Sequence, residues 1–449
     1  MFDSQPSWLS FQRGVQLHDA HFNWHQAPLL LCYAHKQINR TMKLLFLSQV
    51  LPYPLDAGPK MRSYFVLRYL VQQHQVTLLT FVRDTDRPED IAHLAEFCQA
   101  VHTVPMDRGC LRDARFLAQS LLTGQPFLIL RDRVPGMIQE VQYLVRSDPF
   151  DVVHADQLWM AQYALRAKAA SPQARLVLDQ HNAVHLIPSR LAGDAANSLK
   201  RAFLAHEARA LAKYETKVCR YFDHVVWVTA EDRQAVAALS DGAVNSQTAS
   251  TVIPICADTN LAKMMEPARN RPRVTFLGGL HWPPNAEGIL WFAKHVFPKV
   301  RAEVSDAILT VIGKSPPAGL DGEGVEVTGY VVDLTPYLAE TGVFIVPLHA
   351  GGGMRVKILD AWSWGLPVVS TTIGAEGIAV HPSEDILIAD TAQAFAQAVI
   401  RILRDPILAQ HLVQNGRQTV TKEYDWHVVY PAWDIVYDGL SRSARTEVL

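Results

Sequence analysis

The chain predicts an α/β protein made of two doubly wound, Rossmann-like domains facing across a cleft. Three observations carry that prediction. Short apolar runs alternate with helical segments, the pattern of βαβ units and parallel sheets. The alternation pauses in a polar, proline-containing stretch from Lys263 to Arg271 and then starts again. The 449 residues are enough for two or three domains, each with its own core.

The first alternation opens with the apolar run Leu44 to Ser48, a loop punctuated by Pro52, Pro54, Gly58 and Pro59, a helical pattern carrying Tyr64, Leu67 and Leu70, and a strand from Val76 to Phe81. Further strand-like runs fall at 101–105, 151–155, 175–179 and 224–229, and the longest helical segment runs from about Ser198 to Tyr221. The second alternation begins with the strand Arg273 to Leu277, which ends in Gly278-Gly279, and a helix from about Asn285 to Ala302. Strands follow at 307–312, 325–331, 343–346, 367–371 and 386–388. The expected division is an N-terminal extension over 1–41 outside the folded body, a first domain over 42–255, a second over 256–425, and a helical segment over 426–449 that crosses back to the first. Met42-Lys43 and the apolar run after it look like a natural protein start.

Composition narrows the function. Apolar residues make up 49% and charged residues 19%, an ordinary globular balance, and the formal net charge is −2. Such a chain has no global attraction for nucleic acid. The five cysteines, Cys32, Cys98, Cys110, Cys219 and Cys256, match neither a zinc site nor a disulfide framework, which suits a reducing, cytoplasmic setting. No stretch approaches the ~20 apolar residues that span a bilayer.

The most informative segment runs from Val346 to Ser370. A strand ends near Leu348, three glycines follow at Gly351, Gly352 and Gly353, a helix starts near Met354 and stops at Gly365, and Pro367 opens the next strand. Consecutive glycines let a ligand approach the backbone and permit positive φ. A helix start presents unpaired N–H groups and the positive end of a dipole, a combination that binds phosphate. Arg355 and Lys357 add charge in the first turn, where cations are unfavourable by roughly 0.3–1 kcal/mol unless an anion is near. Asp360 stands where a carboxylate could accept from ribose hydroxyls. A plain tight turn with two solvated cations is the competing reading. Trp362 and Trp364 read as packing residues on the helix.

This segment resembles the donor-site signature of glycosyltransferase family four, which has the GT-B architecture, and is similar above all to its exopolysaccharide-type members. The shared residues are Pro347-Leu348, Gly351-Gly352-Gly353, Arg355, Lys357-Ile358-Leu359-Asp360-Ala361, Gly365, Pro367 to Thr371 and Gly374-Ala375-Glu376-Gly377. Phe276 to Gly279, Pro284-Asn285, Trp291-Phe292 and Gly329-Tyr330-Val331 with Asp333 extend it. In the first half, Pro52, Pro54, Gly58, Arg62, Asp179 to Asn182, Glu207 and Tyr214-Glu215 fit as well. There are departures. Many members carry two glutamates eight residues apart, whereas this chain has Gly352 and Asp360 there. The family's frequent Arg and Lys after the first donor-domain strand are replaced by Gly279-Leu280-His281-Trp282.

The resemblance implies a hexosyltransferase-like enzyme that takes a sugar from a nucleotide-sugar donor, retains anomeric configuration and needs neither a metal nor a further cofactor. The implied acceptor is a glycan or a lipid-linked oligosaccharide in cell-surface polysaccharide synthesis, which would bring a cytoplasmic protein to the inner face of the membrane. Donor-binding candidates are Gly58, Gly278, Gly279, Gly351, Gly352, Gly353, Arg355, Lys357, Asp360, Gly374 and Glu376. Arg355 and Lys357 are candidates for stabilising the leaving diphosphate. His154 and His181 end two strands of the first domain, face the expected cleft, and are candidates for general-base or acceptor-binding roles, with a plain hydrogen-bonding role as the alternative. An inactive nucleotide-sugar-binding subunit and a GT-B nucleotide-sugar epimerase remain open. A dinucleotide-dependent oxidoreductase is disfavoured, because neither first strand is followed by Gly-x-Gly-x-x-Gly.

Overall fold

A computed structural model describes residues 41–446 except 56–57, 107, 195–196, 240–247, 261, 263 and 266–271. The expectation for residues 1–41 therefore falls almost wholly outside the described residues, as does most of the polar stretch at 263–271. No helix of the described residues is long and apolar enough to cross a membrane.

Two all-parallel sheets form the body. The first holds β1 (Lys43–Ser48), β2 (Gln75–Val82), β3 (Ala100–Pro105), β4 (Val152–Asp156), β5 (Arg175–Gln180), β6 (His224–Trp227) and β7 (Ala249–Val252), in the order β3-β2-β1-β4-β5-β6-β7. The second holds β8 (Arg273–Leu277), β9 (Ile308–Ile312), β10 (Val325–Gly329), β11 (Val343–Val346), β12 (Val368–Ser370) and β13 (Leu387–Ile388), in the order β10-β9-β8-β11-β12-β13. The winding reverses between β1 and β4 in one sheet and between β8 and β11 in the other. These reversals create the crevices where doubly wound folds bind ligands.

Helices cover both faces of each sheet, so the central strands are buried throughout and read as unbroken apolar runs, as in Val343-Phe344-Ile345-Val346. Six helices position the features discussed below: α1 (Gly58–Leu70), α2 (Leu186–Asp194), α3 (Ser198–Cys219), α4 (Val356–Ser363), α5 (Pro406–Glu423) and α6 (Ala432–Thr446). Helix α6, although last in the chain, packs on the first sheet. Trp433, Val436, Tyr437 and Leu440 share a buried cluster with Leu44, Phe46, Val152 and Val177.

Element boundaries differ from the sequence expectations in two places that matter. The helix expected over 285–302 is a run of three pieces, Pro283–Trp291, a π-helical turn Phe292–Val296, and Phe297–Glu303. Pro298 has no N–H to continue the α-helical ladder, and the wider turn absorbs the missing bond. The helix expected from Met354 begins at Val356, with Arg355 as its N-terminal cap at φ −91° and ψ 82°. Residues Gly351 to Met354 thus form a turn rather than a first helical turn.

Candidate functional site

The site lies on the seam between the two domains. On the C-terminal side, Gly278-Gly279 follow β8 and Pro347 to Gly353 follow β11, so both glycine segments flank the winding reversal. Gly351 and Gly353 have φ of 128° and 71°, values that side chains rarely adopt. Gly353 is also held by space: a Cβ there would stand 3.0 Å from both the His181 carbonyl oxygen and the Asn182 Cβ. Among the described residues, no backbone N–H from Gly351 to Arg355 donates a hydrogen bond, although Gly351, Gly353, Met354 and Arg355 are buried.

Arg355 folds onto this turn, while Lys357 points to the glycine segment after β8. Arg355 is buried, and its Nη1 donates to the carbonyls of Gly352 at 2.5 Å and of Gly353. Its Nη2 has no hydrogen-bond partner among the described residues. Burial pushes its pKa down to about 10; Glu376 opposes that and Arg190 adds to it. Lys357 donates to Asn285 Oδ1 at 2.9 Å and lies 4.5 Å from the centre of the Phe276 ring. Gly278 leaves room for it, since a Cβ there would meet Lys357 Nζ at 2.7 Å. Burial and, less, the neighbouring Arg355 lower Lys357 to about 7. Burial raises Asp360, three residues on, to about 7, with Lys357 opposing.

Glu376 gives both oxygens to Arg190 of α2, with Nη1–Oε2 and Nη2–Oε1 both at 2.6 Å. Arg190 Nη1 also donates to the Gly351 carbonyl. Arg190 therefore reaches from the first domain to the glycine turn of the second, and nothing in the sequence patterning marked it. Gly374 answers to packing: a Cβ there would collide with Ser370 Oγ and the Val346 carbonyl.

The first sheet supplies the facing wall. Gly58 opens α1, and a Cβ on it would lie 3.7 Å from the Val356 side chain of α4. Asp156, at the end of β4, accepts from His181 Nε2 at 2.8 Å, Ser48 at 3.0 Å and Ser63 at 2.7 Å. Burial alone would raise its pKa, but His181 and Ser63 hold it below the usual carboxylate range. Asp179 pairs with the wholly buried Arg62, Nη2–Oδ1 2.6 Å. Asp156, Asp179 and His181 offer ligand atoms within 4.8 Å of one another. Those atoms are already spent on Arg62, Ser48, Ser63 and one another, and the Arg62 charge opposes a cation there. Gln157, beside Asp156, has φ 72° and a buried Nε2 without a partner among the described residues; its position directly after a strand was the only sequence signal for it.

His154 needs correction. It does not face the seam: it has no exposed surface, hydrogen-bonds the Tyr437 hydroxyl of α6 at 2.8 Å and stacks on Phe46 at 4.4 Å. Burial lowers it to about 4, so it is neutral and structural. Position 154 lies inside β4, where alternate side chains point to opposite faces, and α6 covers this face. His181, one residue past β5, does reach the seam. Two surface cavities, about 410 Å³ beside Glu303 and Arg404 and about 330 Å³ beside Arg133 and Tyr214, hold none of the candidate residues.

Two doubly wound domains meeting at their winding reversals, with a glycine turn and cations on the second, define the GT-B architecture. Residues 271–405 match the family model for glycosyl transferases group 1, so the second domain is related to the group 1 glycosyltransferases. Over 401 residues the chain is 22% identical to an uncharacterized 44.6 kDa protein in the cps region of Klebsiella pneumoniae, covering 86% of this chain and 98% of that one. It is 28% identical over 117 residues to the lipopolysaccharide core biosynthesis glycosyltransferase LpsE of Rhizobium meliloti, covering 26% of this chain and 34% of LpsE. Among solved structures, Anabaena Alr3699/HepE with UDP and glucose superposes with TM-score 0.60 at 14% identity, covering 89% of this chain and all of that one. A glycosyltransferase from Rickettsia africae superposes with TM-score 0.58 at 13% identity, over 90% of this chain and 99% of that one.

Proposed function

We propose that the chain is a glycosyltransferase of surface-polysaccharide synthesis that holds a nucleotide-sugar donor by its pyrophosphate on the turn Gly351 to Arg355. One observation carries this reading: among the described residues, consecutive N–H groups in a mostly buried turn lack acceptors, beside a buried guanidinium whose Nη2 has no hydrogen-bond partner. Buried donors of this kind are costly unless satisfied, and a phosphate satisfies several at once. The relatives support the same reading, since the HepE crystal contains UDP and LpsE is named for lipopolysaccharide core synthesis.

In this reading Arg355 and Lys357 meet the negative charge that grows on the departing diphosphate, worth about 3 kcal/mol of barrier per group by analogy with oxyanion donors. The reaction retains anomeric configuration and uses no metal, as the family resemblance implies. Asp360 takes the ribose. His181, fixed by Asp156, stands on the acceptor side. The domains part to admit the donor and close on it. A glycan or lipid-linked acceptor is what the family resemblance implies, and the name of LpsE, a lipopolysaccharide core glycosyltransferase, supports it. A lipid-linked one would bring the first domain to a membrane face, for which exposed Leu111, Leu121 and Leu122 of the helix Cys110–Thr123 are suited.

The test is a thermal-shift screen with UDP-, GDP- and dTDP-sugars. A ligand at 100 times its dissociation constant stabilises the protein by about 2.7 kcal/mol. One donor class is expected to raise the melting temperature of the wild type and to leave Arg355→Ala unmoved. Binding followed by hydrolysis or transfer supports an enzyme; binding without turnover across an acceptor panel indicates an inactive binding subunit. No shift with any donor overturns the proposal.

A further inference from the structure

Arg190 belongs to the first domain, yet its side chain ends inside the donor-side turn of the second. Its guanidinium is bidentate to Glu376 and also holds the Gly351 carbonyl. Glu376 Oε2 stands 3.9 Å from Arg355 Nη2, the buried nitrogen without a hydrogen-bond partner among the described residues. A charge-assisted hydrogen bond spans about 2.7–2.9 Å, so an approach of about 1 Å would pair Glu376 with Arg355.

Arg190 and Arg355 against Glu376 leave one net positive charge; Asp232, a further carboxylate that interacts with all three, is buried, accepts from Ala183 N and Thr229 Oγ1, and is raised in pKa chiefly by burial, which favours its neutral form. Without Arg190 the turn loses one positive charge, and Glu376 is left with Arg355, already 3.9 Å away, as its ion-pair partner. We infer that Arg190 is a positioning residue of the donor site: by taking both oxygens of Glu376 it leaves Nη2 of Arg355 for a donor phosphate. The inference rests on the pyrophosphate reading above. It makes Glu376 a counter-charge rather than a donor ligand. Because Arg190 lies on α2 of the other domain, the positive charge it adds to the turn is present only when the two domains are together.

A merely structural strap predicts something different. If Arg190 only ties the domains, removing its partner Glu376 cuts the same tie and gives the same loss. If Arg190 acts through the charge of Glu376, neutralising Glu376 has the opposite sign.

The test measures binding of UDP, GDP and dTDP by titration calorimetry to the wild type and to Arg190→Ala, Glu376→Gln and the double variant, each first checked for native circular dichroism. For the diphosphate that binds the wild type, Arg190→Ala is expected to weaken affinity about tenfold, which corresponds to about 1.4 kcal/mol. The double variant is expected to recover most of that loss, and Glu376→Gln alone to bind more tightly than the wild type. Arg190→Lys, which lacks the two-pronged geometry, is expected to fall between wild type and Arg190→Ala. A double variant as weak as Arg190→Ala, or a Glu376→Gln protein weaker than wild type, overturns the inference and leaves Arg190 as a strap. The Glu376→Gln arm decides the matter even if Arg190→Ala fails to fold. A wild type that binds none of the three diphosphates removes the donor reading itself, and the inference with it.

Discussion

Lys357 and Asp360 sit on neighbouring turns of α4 and are drawn toward each other in proton affinity, the amine down to about 7 and the carboxyl up to about 7. Burial is the main cause for both. A bound diphosphate favours the protonated amine, so donor binding takes up a proton wherever the free protein has lost it. Above about pH 7 the free amine is increasingly neutral, and affinity is expected to fall with rising pH by up to about tenfold per unit. Below about pH 7 the Asp360 carboxyl is protonated and loses its capacity to accept from ribose at both oxygens, so affinity falls again. Nucleoside diphosphate dissociation constants measured from pH 5.5 to 9 should show this maximum, with the alkaline limb absent in Lys357→Met. A flat profile in the wild type would contradict the assignment. The motif singled out Arg355, Lys357 and Asp360 because cations and a carboxylate around a strand end and a helix start have a chemical use there, and the structure places Arg355 on the glycine turn with Lys357 and Asp360 on the helix after it. Arg190 was not legible: it is 186 positions from Glu376, and no local pattern ties the two. His154 was misread because strand-end position says nothing about which sheet face a distant helix will cover.

The C-terminal helix α6 is the clearest case of an element whose role is set far from its place in the chain. Trp433 is wholly buried, lies 5.5 Å from the His154 ring and has the Arg62 guanidinium 5.7 Å from its own ring centre. Tyr437 completes the cover by bonding His154. Helix α6 thus seals the face of β1 and β4 opposite to their other helical layer. Trp433→Ala opens a large void and strands Arg62 beside it; a loss of about 3–5 kcal/mol is expected in urea unfolding, in line with large-to-small core changes. A loss under about 1 kcal/mol would mean that α6 is only loosely docked. Sequence alone showed that the last segment was helical and long enough to return, but the residues that anchor it are ordinary aromatics. Helix α5 shows the reverse economy. Gly416 lets it press on Trp362 of α4, because a Cβ there would overlap the indole ring. Helix α4 is therefore braced from behind by close packing.

Across the whole molecule, the two sheets share one winding scheme, and that scheme decides where chemistry can occur. Both winding reversals open toward the seam, where Gly58, His181 and Arg190 from one side meet Gly353, Val356 and Glu376 from the other. The alternation of apolar runs and helical segments was enough to foresee two parallel α/β domains, since buried parallel strands have little choice but to be apolar. The closeness of the seam was not foreseeable, because it depends on single contacts such as the Gly353 backbone against the His181 carbonyl. The central claim is that the backbone from Gly351 through the start of α4 holds the donor pyrophosphate. Amide hydrogen exchange measured with and without the nucleoside diphosphate that binds is its most direct test. The account expects the largest slowing in the peptide covering 351–359, with a smaller one at 186–190 as the seam closes. Unchanged exchange over 351–359 while the ligand is bound would contradict it.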